Sequence, residues 1–428
     1  MRIALLALFV PLLGCTGKGD TAVDDSSTDS VGDDTSGDSN PVVIPPPCAG
    51  ESWGDIDTTL VATGLHVSAN ADSGGDGSEE HPFQTIDEAV TASRVEGAPK
   101  AILIWPGTYT SFLDLATSLG DDGLQVQGCS ADEVTIEAIG ATSPIIKVSE
   151  VSGLDVRGLT LSGGKRGLWV WQGAKVTITD VHAVGNAFLG IVIDGVTTEA
   201  TMSSITVTDP TLSGGIGGFG IMVQSSQVSM DGVEVTGATE NGILVTGGTA
   251  VALMTAVTVT GTSPDSDGAF GRGVTIQERA SADISSAVLA DNFDAGIFGL
   301  GPTSLALADV SVTSTQAAHI PGSEDTSGDG VVITDDPSHE PYSEVYFEAS
   351  ADNVTIDGSS RTGMLLSGNG LGVTLSGITI TGFTADDPGA GSPVVQSDAS
   401  VTSSDAFVTL DAPLLFSTDP IIADDFAP

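Results

Sequence analysis

The chain has 428 residues, of which 57 are acidic and 12 are basic, giving a formal net charge of −45. A surface with that charge repels nucleic acid and anionic membranes, so we exclude both as direct partners of the folded body. Charged residues make up only 16% of the chain, and glycine occurs 55 times. Small and β-branched residues with frequent glycine predict many short strands and tight turns.

The first residues predict an export signal. Arg2 precedes an apolar run, Ile3 to Leu13, that is too short to span a bilayer. The run ends in Leu12-Leu13-Gly14-Cys15, which resembles the lipobox of bacterial lipoproteins. That resemblance implies a signal peptide at residues 1–14, lipidation of Cys15 and an outer-membrane lipoprotein, on the periplasmic face or at the cell surface. An ordinary secretory signal is the alternative.

Residues 15–47 predict a disordered tether. After the cysteine they hold seven Asp, one Lys and many Ser, Thr and Gly, and they end in three prolines. Such a segment cannot bury enough apolar area to fold. Two cysteines remain, Cys48 and Cys129. In an exported chain an even pair is compatible with a disulfide, and two free thiols are the alternative.

The body of the chain is repetitive. A glycine followed by an apolar-x-apolar strand recurs eight times, and a second pattern of alternating apolar residues follows each copy. Both patterns have the period of two that is typical of strands with one buried face. The cycle is too short for a helical crossover at every step, which favours a solenoid of stacked parallel strands. We expect the repeated glycines to adopt positive φ at sharp corners. They lie at positions 167, 190, 220, 242, 273, 296, 330 and 363.

The opening of this region resembles that of many β-helix proteins. Residues 66–109 contain HVSANADSGGDGSEEHPFQTIDEAVTAS and AILIWPGTY. Together with the repeats, this resembles the pectin-lyase-like superfamily of right-handed parallel β-helices, which implies an all-β solenoid of about a dozen coils. The resemblance also implies that a helix from Phe83 to about Arg94 plugs its N-terminal end. The predicted domains are the cap and first coil at 48–119, the β-helix at 120–412 and a C-terminal tail at 413–428.

Longer loops interrupt the repeats at 209–219, 262–272, 314–329 and 382–393, with a further insertion at 335–343. The first four follow the second strand pattern, so we expect them to share one corner and form a ridge. Insertions on one side of a repeat protein often mark a binding face. Neutral variation in the length of surface turns is the alternative.

The candidate catalytic residues are His339, Tyr342 and Arg361. They could supply a base, an acid and a partner for a uronate carboxylate. The segment Asp336-Pro337-Ser338-His339-Glu340 resembles the Asp-Pro-His-acidic motif of β-helix mannuronan epimerases, although the inserted Ser338 breaks its spacing. No Asn-Thr-Asp or Gly-His-Gly occurs, which are motifs of polygalacturonase-type hydrolases. A solvated polar loop is the alternative interpretation.

Two binding sites are also predicted. The oxygen-rich loop with Asn70, Asp72, Asp76 and Glu79 could hold calcium or could be a hydrogen-bonded turn. Trp169 and Trp171 alternate with core positions and point outward, either to stack on sugar rings or to pack under a loop. The leading hypothesis is an envelope lipoprotein that displays a solenoid for carbohydrate or adhesive binding, with no identifiable catalytic set. A polysaccharide lyase or epimerase is the alternative.

Overall fold

The computed structural model describes Cys48 and residues 58–140, 142–320, 326–335, 347–368, 370–382, 394–397, 399–403 and 408–410. Residues 46–428 form one compact unit, separate from residues 1–45. The predicted signal peptide, tether and tail lie outside the described residues, so their boundaries stay predictions. Within the described part, no helix is long and apolar enough to cross a membrane.

The described elements are mainly short strands. The helices are α1 (Thr58–Thr63), α2 (Ile86–Ser93) and a 3₁₀ turn at Thr117–Leu119. Sheet I, the long sheet, contains β1 (Leu65–Val67), β2 (Ala101–Ile104), β3 (Gly107–Thr110), β5 (Gln125–Gly128), β6 (Val134–Glu137), β8 (Ser152–Ser162), β10 (Lys175–Val184), β12 (Glu199–Thr208), β16 (Gln227–Thr236), β18 (Val251–Thr260), β20 (Ser281–Ser285), β21 (Val288–Ala290), β23 (Ser304–Thr313), β25 (Phe347–Asp357), β27 (Leu371–Ser376), β28 (Thr379–Thr381) and β30 (Ser400–Ser403).

Sheet II runs beside it and has 12 strands among the described residues. They are β4 (Leu113–Ala116), β7 (Pro144–Ser149), β9 (Arg166–Trp171), β11 (Leu189–Asp194), β15 (Phe219–Gln224), β17 (Asn241–Thr246), β19 (Arg272–Gln277), β22 (Ala295–Leu300), β24 (Asp329–Thr334), β26 (Met364–Ser367), β29 (Val394–Ser397) and β31 (Val408–Leu410). A small antiparallel hairpin, β13 (Leu212–Ser213) and β14 (Ile216–Gly217), lies in one of the predicted long loops.

Each complete coil contributes one strand to sheet II and either one long strand or two short strands to sheet I, and equivalent residues of successive coils pair in parallel. The long strands of sheet I bend in the middle, where one residue of each coil leaves the pairing register. In β10 and β12 these residues are Asp180 and Ser204, with φ of 50° and 53°. The bend gives the coil a third side, and the inward side chains of all sides form one continuous apolar core. The predicted stacked solenoid is therefore confirmed.

The repeated glycines do not adopt the positive φ that we expected, so that prediction is wrong. They are required for space instead. A Cβ on Gly242 would lie 2.3 Å from Val259 Cγ1 and 2.6 Å from the carbonyl oxygen of Gly273 in the next coil. Gly220 and Gly296 face equivalent contacts with Val235 and Val312. The glycine column lets the backbones of successive coils and the core side chains approach each other closely.

The predicted N-terminal cap is present, but helix α2 begins at Ile86, three residues after Phe83. Thr85 is its N-cap, and Thr85 and Glu88 form a capping box, which satisfies free backbone N–H groups of the first turn. Ile86, Ala89 and Val90 are buried in the main core. The cap thus covers the apolar cross-section that would otherwise be exposed at the end of a solenoid.

Cys48 and Cys129 form a disulfide with Cα atoms 5.5 Å apart. The bridge packs against Leu103 and Trp105, beside the first coils. Trp105 Nε1 donates to His66 Nδ1, and His66 Nε2 lies 3.0 Å from the carbonyl oxygen of Val61. The disulfide therefore ties the segment before the cap to the wall of the solenoid.

Candidate functional site

Of the three candidate catalytic residues, only Arg361 lies among the described residues; His339 and Tyr342 lie outside them. The Arg361 guanidinium is paired with both carboxylate oxygens of Asp329. The two side chains are 9% and 1% exposed. Burial raises the pKa of Asp329, and the hydrogen bonds from Arg361 act in the opposite direction. Arg361 thus serves a buried ion pair and does not present its charge to a substrate.

A second buried ion pair lies nearby, between Arg272 and Asp294. The Arg272 guanidinium stacks on the Phe298 ring, 3.5 Å from its centroid. Glu240 lies one coil before Arg272; burial, followed by the neighbouring Asp265, raises the pKa of Glu240 to about 8. These charged groups line the corner where sheet II begins. They are buried there, so they do not form an open active site.

The predicted calcium loop does not gather its carboxylates. Within the described part of the chain, no three His, Cys, Asp or Glu side chains lie close enough together to hold a metal ion. Asp76 Oδ1 instead accepts from the backbone N–H of Ser78, which belongs to the hydrogen-bonded turn that was the alternative. Hydrogen bonds from Ser78 lower the pKa of Asp76. Calcium binding at this loop stays a prediction.

Trp169 and Trp171 point away from the core, as expected from their alternation with Leu168 and Val170. Their ring centroids are 4.8 Å apart. Lys147 Nζ lies 5.2 Å from the centroid of Trp171 and 5.9 Å from that of Trp169. Trp169 is only 6% exposed and packs in a second apolar cluster outside the main core. Its burial favours the packing alternative over an open sugar-stacking platform.

Two of the predicted long loops meet at one corner. The backbone N–H of His319 donates to the carbonyl of Gly268, and Ala269 pairs with His319, which joins two of the predicted insertions. A ridge is therefore formed by the described parts of 262–272 and 314–329. Its role as a binding face stays a prediction.

An open concave surface lies elsewhere in the described part of the chain, on the outer face of sheet I. It is a groove of about 530 Å³ that crosses β8, β10, β12, β16 and β18. Two registered rows of outward side chains line it. The first row holds Lys175, Glu199, Gln227 and Val251, and the second holds Thr177, Thr201, Ser229 and Leu253.

The groove is polar at one end and apolar at the other. Lys175 Nζ donates to Glu199 Oε1 at 2.7 Å, and both side chains are about half exposed, at 54% and 51%. At the opposite end, Val251 and Leu253 are 38% and 47% exposed. Neighbouring rungs of such a sheet lie about 4.8 Å apart. The groove therefore offers hydroxyl, amide, ammonium and carboxylate groups at regular intervals beside an apolar patch.

Residues 101–261 match the family model described as right handed beta helix region. The parallel strands in register and the continuous core are the features expected of this family. The chain is a right-handed parallel β-helix. The match and the strand stacking confirm the expected right-handed parallel β-helix fold.

Several solved structures are similar to this chain at low sequence identity. A catalytic domain of a GH87 α-1,3-glucanase in complex with tetrasaccharides is 13% identical with a TM-score of 0.44, over 86% of this chain and 70% of that one. The pectate lyase Pel9A is 14% identical with a TM-score of 0.44, over 83% and 80%. An alginate lyase from Paenibacillus sp. str. FPU-7 is 11% identical with a TM-score of 0.48, over 73% and 96%. No curated protein sequence matches this chain.

Sequence reasoning missed the groove as a site. Alternation alone identifies Lys175, Glu199 and Gln227 as outward-facing. Their alignment in one row depends on the pairing register between coils, which loops of different length hide in the sequence. The sequence does contain one signal that could have revealed this alignment, which is the position of each residue relative to the first buried residue of its strand.

Proposed function

We propose that this β-helix is a cell-envelope protein that binds a neutral polysaccharide in the sheet I groove. The observation that carries the proposal is the pair of registered rows that crosses four strands, with polar side chains on three of them and an apolar end on the fourth. Sugars bind through hydroxyl hydrogen bonds combined with contacts to their C–H faces. The groove supplies both kinds of contact on a rigid sheet, which lowers the entropic cost of ordering the site.

The charge of the protein supports a neutral ligand. With a net charge of −45, the surface repels polyuronates and other anionic polymers unless a cation bridges the contact. The Lys175–Glu199 pair at the rim presents one donor group and one acceptor group without a local net charge. A neutral glycan can use both groups, because hydroxyls donate and accept.

We further propose that the role is binding without turnover. The support is that Arg361, the candidate partner for a substrate carboxylate, is already neutralised by Asp329 in a buried pair. The alternative, a polysaccharide lyase or epimerase, is tested by incubating the full chain with alginate and pectate. Formation of unsaturated uronate, seen by ultraviolet absorbance, or epimerised sugar, seen by NMR, that is lost in His339→Ala would overturn binding without turnover.

The envelope location rests on the lipobox resemblance at Cys15. We expect Cys15→Ser to release the protein from the membrane fraction of a bacterial host that processes lipoproteins, while the wild type stays with the outer membrane. Metabolic labelling with a fatty-acid analogue checks the modification directly. Equal fractionation and labelling of both forms would overturn the anchor while leaving the proposed glycan binding intact.

Glycan binding is tested with the full chain on an array of neutral and anionic polysaccharides. We expect retention on a neutral glycan, and a loss of affinity of roughly 10-fold or more for Lys175→Ala or Gln227→Ala, about 1.5 kcal/mol for each lost hydrogen bond. The matched control is Thr355→Ala, an exposed sheet I position outside the groove. Equal loss in the control, or no retention on any glycan, would contradict the proposal.

A further inference from the structure

The two rows of the sheet I groove form a regular grid of outward side chains. Neighbouring strands lie about 4.8 Å apart along the solenoid axis, and outward residues two positions apart on one strand are separated by about 6.6 Å. All eight side chains of the two rows are exposed. The strands β10, β12, β16 and β18 each contribute one residue to each row, so the grid has four rungs with two positions on each rung.

The second row keeps its hydroxyl groups available for a ligand. In the described part of the chain, the side chains of Thr177, Thr201 and Ser229 make no hydrogen bond. The next outward row along the same strands differs, because Thr179 Oγ1 lies 3.2 Å from Ser203 Oγ and the two hydroxyls satisfy each other. A ligand in the groove therefore meets hydroxyls whose donors and acceptors are not engaged by the protein.

The grid is electrically neutral between two acidic ends. At β8 the extra residue Gly153 interrupts the register, and the second row continues to Asp155. Beyond β18 the second row continues to Asp283, which is exposed. On the four rungs between these ends, Glu199 is the one carboxylate of the two rows, and it is paired with Lys175. An uncharged ligand about four rungs long therefore matches the grid.

We propose that the groove binds an extended chain of equatorially linked neutral hexoses, such as a β-1,4-linked glycan, parallel to the solenoid axis and with one sugar per rung. This inference rests on the polysaccharide binding proposed above and names the class of glycan. Each sugar of such a chain advances it by about the spacing between neighbouring strands, because both glycosidic bonds lie near the mean plane of the ring. The hydroxyls on the two edges of this ribbon then face the two rows. An α-1,4-linked chain coils, so its hydroxyls turn away from a straight row.

The fourth rung supplies the apolar part of the site. Val251 and Leu253 are 38% and 47% exposed. A hexose ring that lies on this rung covers part of their surface with its axial C–H face, which is favourable because apolar area is removed from water. Hydrogen bonds on three rungs and an apolar contact on the fourth give the site a direction, so the two ends of a bound glycan have different surroundings.

The perpendicular orientation, with the glycan along one strand, fits the grid poorly. The outward positions of a strand are separated by about 6.6 Å, which is longer than one sugar of the chain. The outer face of the strand also ends at the bend, where Asp180 in β10 and Ser204 in β12 have φ of 50° and 53°. The spacing and the straight rows therefore favour the axial orientation.

The first experiment measures how affinity depends on glycan length and linkage. Calorimetry of the full chain compares linear β-1,4-linked and α-1,4-linked neutral oligosaccharides from the disaccharide to the hexasaccharide. We expect the affinity of the β-linked series to rise roughly tenfold per sugar up to the tetrasaccharide, through one or two hydrogen bonds each, and then to level off. A steady rise up to the hexasaccharide, or binding of the α-linked series that is equal or tighter, would overturn the inference.

The same titrations separate this inference from the proposed function. If the α-linked series binds more tightly and its binding is lost in Lys175→Ala, the groove still binds a neutral polysaccharide, and the axial, equatorially linked chain alone is wrong. If no neutral oligosaccharide of either series binds and no neutral glycan is retained on the array, both are wrong.

The second experiment tests the orientation with a substitution on the fourth rung. We expect Leu253→Ser to weaken binding of the β-linked tetrasaccharide about fivefold, the effect of losing roughly 40 Å² of apolar contact. Binding of the trisaccharide, which fits on the three polar rungs, should stay unchanged. The matched control is Val288→Ser, a 44% exposed apolar position of sheet I outside the groove. Equal losses for both oligosaccharides, or the same loss in the control, would contradict the axial orientation.

Discussion

At the scale of single residues, the solenoid buries several charged groups at the corner where sheet II begins. Glu240 is 8% exposed, and burial raises its pKa from 4.5 to about 8. The neighbouring carboxylate of Asp265 adds to the increase. A carboxyl group with this environment is mostly protonated at neutral pH in the folded protein and ionised in the unfolded chain.

Glu240 therefore predicts a loss of stability as the pH rises. Below about pH 4.5 its carboxyl is protonated in both states; between pH 4.5 and 8 only the unfolded chain ionises it, so the free energy of unfolding falls. The total effect is at most about 5 kcal/mol, at 1.4 kcal/mol per pKa unit. Urea titrations from pH 5 to 8.5 should show a flatter pH dependence for Glu240→Gln. Parallel curves for the two proteins would contradict the shifted pKa.

The pair between Asp329 and Arg361 gives a second prediction. Replacing one partner leaves the other charge buried alone, which typically costs 3–5 kcal/mol. We expect Arg361→Met to lower the free energy of unfolding by about that amount. The double variant Asp329→Leu with Arg361→Met should recover most of the loss, because no buried charge remains. Equal stability of the single and double variants in urea would show that the pair does not contribute in this way.

At the scale of elements, the shape of each coil depends on the bend in its sheet I strand and on glycines, which have no side chain. The bend of β10 and β12 places Asp180 and Ser204 in the left-handed region. The glycine column, by contrast, has ordinary φ and is needed because the next coil leaves no room for a Cβ. The same residue type thus has a steric role here and a conformational role at other corners, such as Gly237 with φ of 67°.

The steric role of the glycine column can be tested by adding a methyl group at one of its positions. Gly242→Ala places a Cβ 2.3 Å from Val259 and 2.6 Å from a backbone carbonyl oxygen. Overpacking of this kind costs about 1–3 kcal/mol. Gly140→Ala is the matched control, because its Cβ would meet no atom within 4 Å. We expect a lower midpoint of urea unfolding for Gly242→Ala alone. Equal midpoints for the two variants would contradict the steric role.

At the scale of the whole molecule, the first coils are held from two sides. Helix α2 caps the core, and the disulfide joins Cys48 to Cys129 across a sequence separation of 81 residues. Closing a loop of that length reduces the entropy of the unfolded chain, which in the chain-entropy model contributes about 4.5 kcal/mol. The two outer faces differ, with an open groove on sheet I and buried outward side chains such as Trp169 and Leu244 on sheet II.

Removal of the disulfide should lower stability by several kcal/mol. We expect Cys129→Ser to reduce the free energy of unfolding by about 2–5 kcal/mol, the usual range for a native disulfide. Cys15→Ser is the control, because Cys15 is not part of this bridge, and it should leave unfolding of the soluble protein unchanged. If a reducing agent lowers the stability of Cys129→Ser as much as that of the wild type, the effect does not arise from this bridge.

The class of fold follows from the amino-acid sequence alone. Apolar residues at every second position and a cycle of about two dozen residues leave a stacked parallel solenoid as the arrangement that buries every repeat. It also predicted the cap and the outward direction of Trp169. These features depend on local periodicity, which loops of variable length do not disturb.

The tertiary structure decided which side chains share a surface. The groove exists because Lys175, Glu199 and Gln227 align across coils. Trp169 is buried, and Arg361 is neutralised by a residue 32 positions away. Burial and ion pairing between coils depend on which residues the strand register brings together. These contacts join residues that are far apart in the sequence. The alternation of residues along one strand does not contain them.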